Sequence, residues 1–441
     1  MNKKKILFIE NRYKTIFWEK LAKELSRKGY SIYWLVQNLS FIPIAENVYT
    51  IPYPTKKNYQ KNKDINLSFV KSTDRIITYF KGTDGHYQFY YEKIEEIISK
   101  ISPDLVVGES TLFHELLTIQ ICKKKNILYL HPTSIGYPPG RFSFYKYDTK
   151  TPYKGSMQKW EDAKCNKLIE DINHRKTVPD YIKTNKNKKN KIINKILDKT
   201  KIFTSYLSGE KYNTPSPLLK IKKDLETKII LKEWDKIAVH ISDDIKFKKI
   251  ILYPLQMQPE ANLDVWGNKF KNQAKLIEVI SKTIPENWYI FVKTNPKAKY
   301  EMNQELLNTV RKNKNIIPLH SATEMKEIFE KSSLVVTVTG TIAIECLLNE
   351  KPVMILGPSI ALKFNGCVGT SNPKDINKLI SQIEKKQFTH LDKAEKINFI
   401  NTLVSTSYEG KISDPYTDPT SISDKNIRLV SKAICEIMEK R

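Results

Sequence analysis

"KKIILYPLQMQPEANL", residues 248–263, is the stretch on which the reading of the fold turns. The run Ile250 to Tyr253 is apolar, opens on two β-branched residues, and is too short for a buried helix. Pro254 stops the helical alternative. The run therefore reads as a core strand that stops at Gln256. The residues after it are polar: Gln256, Gln258, Pro259 and Glu260. The chain holds 74 Lys+Arg against 48 Asp+Glu, so a carboxylate at the mouth of a sheet stands out. By composition it is a solvated loop charge; by position, at a strand's carboxyl end, it is a site candidate.

On both sides of this stretch, strands and amphipathic helices alternate. After the strand come the helix "NKFKNQAKLIEVISKTI" (268–284), the strand "WYIFVKTNP" (288–296) and the helix "ATEMKEIFEKS" (322–332). The strand "SLVVTVTG" (333–340), the helix "TIAIECLLNE" (341–350) and the strand "KPVMILG" (351–357) complete the series. Toward the N-terminus the same alternation appears. "KILFIE", "SIYWLVQ", "DLVVGES" and "ILYLHP" are strands, and helical patterns such as "TIFWEKLAKELSRKGY", "YYEKIEEIISKI" and "LFHELLTIQICKKKN" separate them. Strands separated by helices imply βαβ units and parallel, doubly wound sheets.

The pattern predicts an α/β protein of two Rossmann-like halves around a cleft. The first spans 1–236 and is the expected acceptor domain; it carries a Lys/Asn-rich excursion at about 180–201. The second spans 237–410, and a helical tail occupies 411–441. The length of 441 residues suits two or three domains. No stretch approaches the 18 uncharged apolar residues of a membrane span. The apolar run after the first lysines ends at Glu10, too early for a signal peptide, so the protein is expected in the cytoplasm.

Five scattered cysteines, with no C-x-x-C spacing, support neither a disulfide framework nor a zinc site. The net charge is +26, yet only eight of the cations are arginine, the residue that nucleic-acid readers favour for bidentate contacts. A lysine excess with abundant Asn, Ile and Tyr reads first as genomic base bias, and no nucleic-acid partner is expected. Peripheral contact with an anionic membrane surface is the second reading.

Strand ends supply the short list of sites: Glu10 to Arg12, Glu109-Ser110, His131-Pro132, Gln256 to Glu260, Lys293 to Pro296, Thr339 to Thr341, and Gly357-Pro358. Thr339-Gly340-Thr341 opens a helix, where amides and hydroxyls favour a phosphate, and Glu345 lies one turn on. The plain alternative is an ordinary strand-to-helix turn. Lys293 offers a point charge beside an Asn295-Pro296 turn, or is a routine surface lysine. Glu109 is placed by topology as a general acid or base. His131 binds an anion or caps its strand. His114 and Glu115 read as helix residues. There is no G-x-G-x-x-G and no Walker A pattern. No D-x-D stands at a strand end, and "SDD" at 242–244 reads as a loop, so no metal is expected.

Taken together, "YPLQMQPEANL", "IPENWYIFVKTNPK" and "LVVTVTGTIAIECLLNEKPVMILG" resemble the bacterial capsule polysaccharide biosynthesis glycosyltransferases, relatives of the retaining β-Kdo transferases. The match in order and spacing covers roughly residues 250 to 360; the N-terminal half matches in layout. The resemblance implies a GT-B fold and a CMP-activated 2-keto sugar acid as donor, Kdo or a nonulosonate such as pseudaminic acid. The acceptor it implies is a growing capsule or lipopolysaccharide glycan or glycolipid at the inner membrane face. It places Glu260 on the family's catalytic carboxylate, with Gln256 and Gln258 in its strand-end motif. Lys293, Asn295 and Pro296 fall on the segment that meets the CMP phosphate. Thr339, Gly340, Thr341 and Glu345 fall on the nucleotide-binding turn. Two positions depart from the pattern: Asn295 stands for the family histidine, and "ECLLNEKP" carries Cys346 for Ala and Glu350 for Gly.

A retaining double displacement needs one carboxylate as nucleophile and a second group to activate the acceptor hydroxyl. Lys293 and the 339–341 turn would stabilise departing CMP without a metal or another cofactor. Arg141 is a candidate partner for the donor's carboxylate. The competing readings are a UDP-sugar transferase or CDP-polyol phosphotransferase of the same fold, and a non-catalytic polysaccharide-assembly subunit.

Overall fold

The structure, a computed structural model, describes residues 3–59, 65–180, 200–241 and 249–439. The chain forms two compact units. One contains Met1–Lys159, Val178–Lys220 and Thr402–Arg441; the other contains Trp160–Thr177 and Ile221–Asn401.

In the first unit the strands are β1 (Lys5–Ile9), β2 (Ser31–Val36), β3 (Val48–Thr50), β4 (Leu105–Val107), β5 (Leu128–Ser134) and β6 (Arg141–Lys146). They lie in the order β6-β5-β4-β1-β2-β3. The pairs among β1 to β5 are parallel, and β6 runs antiparallel to β5. In the second unit are β7 (Ile250–Pro254), β8 (Tyr289–Lys293), β9 (Ile316–Pro318), β10 (Leu334–Thr337), β11 (Val353–Ile355) and β12 (Val368–Gly369). Their order is β12-β11-β10-β7-β8-β9, and every pair is parallel. Both orders are those of a doubly wound sheet, reversing direction between β1 and β4 and between β7 and β10. Ligands in such sheets sit outside the strands' carboxyl ends at that reversal.

The central strands are apolar on both faces because helices cover both. Ile251, Leu252, Phe291, Val292, Val335 and Val336 are fully buried. The α/β class and the paired doubly wound sheets expected from the strand–helix alternation are present.

The domain boundaries differ from those read in the sequence. The helix Pro217–Ile237 carries the chain from the first unit into the second, where Trp234 Nε1 donates to Leu319 O at 2.9 Å. The helix Asp162–Asn173 also belongs to the second unit. The C-terminal tail is not an appendage. A short strand β13 (Tyr408–Glu409) pairs antiparallel with β6 at the edge of the first sheet. The helix Asp424–Glu439 then buries Ile427, Val430, Ile434 and Ile437 in the first core. The reason is amphipathicity: these residues form one stripe on the helix, and the first sheet offers an apolar face to cover it. The Lys/Asn-rich excursion falls almost wholly outside the described residues, as does the 242–244 loop.

Candidate active site

Beyond β7 the chain turns sharply, and a hydrogen-bonded frame holds the turn. The Gln273 side chain behaves like a strand neighbour of Gln256: its Oε1 accepts the Gln256 amide at 2.9 Å and its Nε2 donates to Gln256 O at 2.8 Å. Gln273 Nε2 also reaches Gln258 Oε1 at 3.1 Å. Gln256 Nε2 donates to Thr339 Oγ1 at 3.0 Å, and Gln256 Oε1 accepts the Thr339 amide at 3.3 Å. Gln256 follows β7 and Thr339 follows β10, so this pair spans the reversal point of the sheet.

Gln258 is buried and gives its side-chain amide to Asp264 Oδ1 at 2.7 Å. The other oxygen of Asp264 accepts the Glu260 amide at 3.0 Å. Asp264 thus holds both flanks of Pro259 and aims the exposed Glu260, whose Oε2 accepts from Asn262 Nδ2 at 3.1 Å. Behind the turn, buried Glu301 accepts the Gln258 amide at 3.0 Å and the Lys299 amide at 3.1 Å. Burial pushes the Glu301 carboxyl up to about 7, partly opposed by those backbone donors.

From Glu260 one turn of π-helix over Asn262–Trp266 leads to Gly267 and a cavity of about 430 Å³. Trp266, Phe270, Leu362, Thr370 and Ser371 line it, with Gly357-Pro358 just beyond β11 and Lys269 as its one lining cation among the described residues. Glycine is required at two wall positions. A Cβ at Gly267 would lie 2.7 Å from Val338 Cγ1, and one at Gly357 would lie 2.9 Å from Thr339 Cγ2. Those close approaches bring the cavity wall against Val338-Thr339, beside the Gln256 bridge. All of these residues belong to the second unit.

Several expected site residues take other roles. The 339–341 turn is braced from within: the Thr339 amide goes to Gln256, and the Gly340 amide goes to Thr337 Oγ1 at 3.1 Å. The helix after it, Ile342–Leu348, spans only seven residues. Two amides expected to meet a phosphate are therefore already bonded. Lys293 is buried, and its Nζ donates to Thr294 O and Ser321 O, both at 3.1 Å. Desolvation lowers its pKa, with Asp235 pulling the other way. It ties two loops together instead of offering a charge to a ligand. Asn295 Oδ1 accepts the Lys297 amide at 2.9 Å, fixing the turn at Pro296. Glu345 pairs with Arg175 at 2.8 Å, which fastens the helix Asp162–Asn173 region to this unit.

In the first unit, His131 is wholly buried within β5, stacks on Tyr145, and its Nε2 lies 3.1 Å from Thr149 O. Desolvation drops its pKa to about 3, which favours the neutral ring of a buried strand residue. Arg141 is likewise buried: it donates to Ser407 Oγ at 2.8 Å, Ser407 O at 2.9 Å, Val404 O at 3.0 Å, Ser156 Oγ at 3.0 Å and Gln158 Oε1 at 3.1 Å. It clamps the returning C-terminal segment, and no donor fork is left for a sugar carboxylate. Glu109 forms an ion pair with Lys14. Burial raises its pKa against the pull of that ammonium. His114 and Glu115 are fully buried too, and Glu115 accepts the Leu112 amide at 2.8 Å and Asn11 Nδ2 at 2.8 Å.

Asp264, Gln273, Glu301, Trp266 and Phe270 carry no expectation from the sequence. Asp264 lies four residues after Glu260 and so shares its side of a helical turn, a spacing that could have marked it. Glu301 and Gln273 are brought in only by the fold.

A family model described as "Capsule polysaccharide biosynthesis protein" matches residues 147–394. No curated protein matches. Among solved structures, a putative UDP-N-acetylglucosamine 2-epimerase from Listeria monocytogenes aligns over 100% of this chain and 98% of its own, with 12% identity and a TM-score of 0.28. UDP-GlcNAc 2-epimerase from Neisseria meningitidis, bound to UDP-GlcNAc, aligns over 99% and 100% with 11% identity and a TM-score of 0.30. A glycosyltransferase from Rickettsia africae ESF-5 aligns over 100% and 99% with 12% identity and a TM-score of 0.31. No property of those three proteins passes to this chain.

Proposed function

This chain belongs to the capsule polysaccharide biosynthesis protein family, and we propose that it is a glycosyltransferase whose second unit binds a nucleotide sugar at the β7/β10 reversal point. The observation that carries the reading is one continuous segment. It runs from Glu260, held by Asp264, to Trp266 and Gly267 in the wall of the 430 Å³ cavity. A carboxylate and an aromatic-walled pocket then sit within one short loop at the carboxyl end of a parallel sheet, where nucleotide sites form.

In this reading the nucleoside occupies the cavity. The Gln256–Thr339 bridge lies behind its wall, and Lys269, which donates to Ser371 O at 2.8 Å, faces the phosphate in place of Lys293. The donor is a CMP-activated 2-keto sugar acid, Kdo or a nonulosonate such as pseudaminic acid, and the acceptor a capsule or lipopolysaccharide glycan. Glu260 attacks the anomeric carbon while the bond to the CMP phosphate oxygen breaks and CMP leaves with the electron pair. The acceptor hydroxyl oxygen then attacks the same carbon, passing its proton to water, while the bond to Glu260 breaks and returns that side chain as a carboxylate. Two inversions give net retention.

The test pairs binding with turnover. CMP should raise the thermal midpoint more than UDP does, and transfer from CMP-Kdo or CMP-pseudaminate should fall at least about 1000-fold in Glu260→Gln. Stabilisation by UDP but not CMP would move the donor to a UDP-sugar. Undiminished turnover in the variant would remove Glu260 from the nucleophile's role.

A further inference from the structure

The helix Pro217–Ile237 has two apolar faces, and its fold uses only one. Thr227, Ile230 and Trp234 are buried against the second unit. On the opposite side Leu218, Ile221, Leu225 and Ile229 recur at i, i+3, i+7 and i+11, and each is at least 52% exposed. At roughly 100° per residue these four fall within an arc of about 80°. Single exposed leucines are ordinary on a protein surface; a stripe of four at helical spacing is not.

The charges around the stripe say what covers it. Glu226 and Glu233 of this helix are already paired, with Lys223 and with Lys236 and Arg311. Lys222, Lys228 and Lys232 are exposed, border the stripe, and make no ion pair among the described residues. A second copy of the chain placed on this face would bring like charges together. An anionic lipid surface neutralises them while its acyl boundary takes the leucines and isoleucines, the arrangement of an interfacial helix.

We propose that the Leu218–Ile229 face docks the protein on an anionic bilayer. The proposal does not rest on the donor reading, since none of its residues touches the cavity or the Glu260 loop. Its test is sedimentation of the full chain with vesicles of phosphatidylglycerol and phosphatidylethanolamine, against vesicles of phosphatidylcholine alone. The wild type should bind the anionic vesicles, and less so as salt rises. Ile221→Ser/Leu225→Ser/Ile229→Ser should lower that binding at least about tenfold. Lys222→Glu/Lys228→Glu/Lys232→Glu should lower it at least as much. Because every substituted side chain is exposed, both variants should keep the wild-type thermal midpoint and nucleotide binding. Failure of the wild type to bind anionic vesicles, or equal binding by the serine variant, overturns the proposal. So does a wild-type dimer that the serine variant converts to monomer with no change at vesicles, which would assign the face to a second copy.

Discussion

The two units answer the same topological question with opposite chemistry. Both sheets reverse direction at their centre, between β1 and β4 in one and between β7 and β10 in the other. In the first unit, carboxylates already bonded by backbone amides, by Asn11 or by Lys14 fill the ends of those strands. Glu10 accepts the Arg12 amide at 2.5 Å and the Asn38 amide at 3.0 Å, Glu109 pairs with Lys14, and Glu115 binds Asn11 and its own loop. In the second unit a neutral bridge, Gln256 to Thr339, spans the same place, and a cavity opens beside it. A buried network of charges is costly to disturb and leaves little for a ligand to do. A frame of amides and hydroxyls holds its shape while leaving Glu260 exposed. Two strand-end carboxylates that look alike in sequence, Glu109 and Glu260, thus part ways.

The most severe test of this contrast removes the first unit's cation. Lys14→Met leaves the Glu109 carboxylate without its ammonium. A loss of about 3 kcal/mol of stability is expected, from the cost of orphaning one member of a pair whose side chains are only 15% and 14% exposed. Denaturant unfolding measures it, and a second variant, Lys14→Met with Glu109→Gln, should recover part of the loss. Nucleotide affinity should stay within about twofold in the folded fraction. An unaltered unfolding midpoint but abolished transfer would return Glu109 to the chemistry.

Among the buried acids of the second unit is Glu301, whose carboxyl is raised from the ordinary value of 4.5 to about 7. The folded state therefore keeps a proton that the unfolded state releases. Between about pH 4.5 and 7 this group favours folding less and less as pH rises, by up to about 3 kcal/mol across the window. Glu301→Gln should flatten that part of the stability–pH curve while still accepting the Gln258 amide. Superimposable curves for variant and wild type would show that Glu301 is ionised in the folded protein at ordinary carboxylate pH.

A smaller effect tests the cavity itself. Trp266→Ala removes an aromatic wall, and an affinity loss on the order of thirtyfold for the favoured nucleotide is expected by calorimetry. Equal affinity in the variant would place the base elsewhere. The same experiment on Lys14→Met then serves as its internal control, since that pair lies in the first unit and the cavity in the second.

These contrasts also mark what the sequence could tell. The strand–helix alternation exposed both sheets because buried parallel strands are nearly all apolar, as in Ile250 to Tyr253 and Leu334 to Val336. β6 alternates polar and apolar residues from Arg141 to Phe144, yet it stands apart from the strand–helix series; its buried arginine is explained only by the C-terminal segment it clamps. That segment's return was hidden, since sequence distance says nothing of which sheet an amphipathic helix will cover. Glu260 was legible from its place after β7. Lys293 and His131 stood at equally plausible strand ends, and only packing shows that their polar atoms are satisfied by backbone carbonyls. Position at a strand's end nominates a residue; whether its polar atoms are already bonded decides between ligand contact and scaffold.

The finest test of that rule is Asp264. Its two oxygens take the Gln258 side chain and the Glu260 amide, so it shapes the loop that presents Glu260. Asp264→Asn keeps the size and one acceptor oxygen but turns the other into an NH₂ facing either an amide donor or the Gln258 side-chain donor. Glu260 is then presented less often in its aimed position. A fall in kcat of about tenfold is expected, with KM for the donor and nucleotide affinity nearly unchanged, because the cavity wall from Trp266 onward is untouched. Asp264→Glu should do no better, since its longer side chain cannot hold both donors at the observed 2.7 and 3.0 Å. A weakened affinity at constant kcat would instead make Asp264 part of the nucleotide's support. The Glu260 loop and the cavity would then be one binding element, without the division between an aimed carboxylate and a separate pocket.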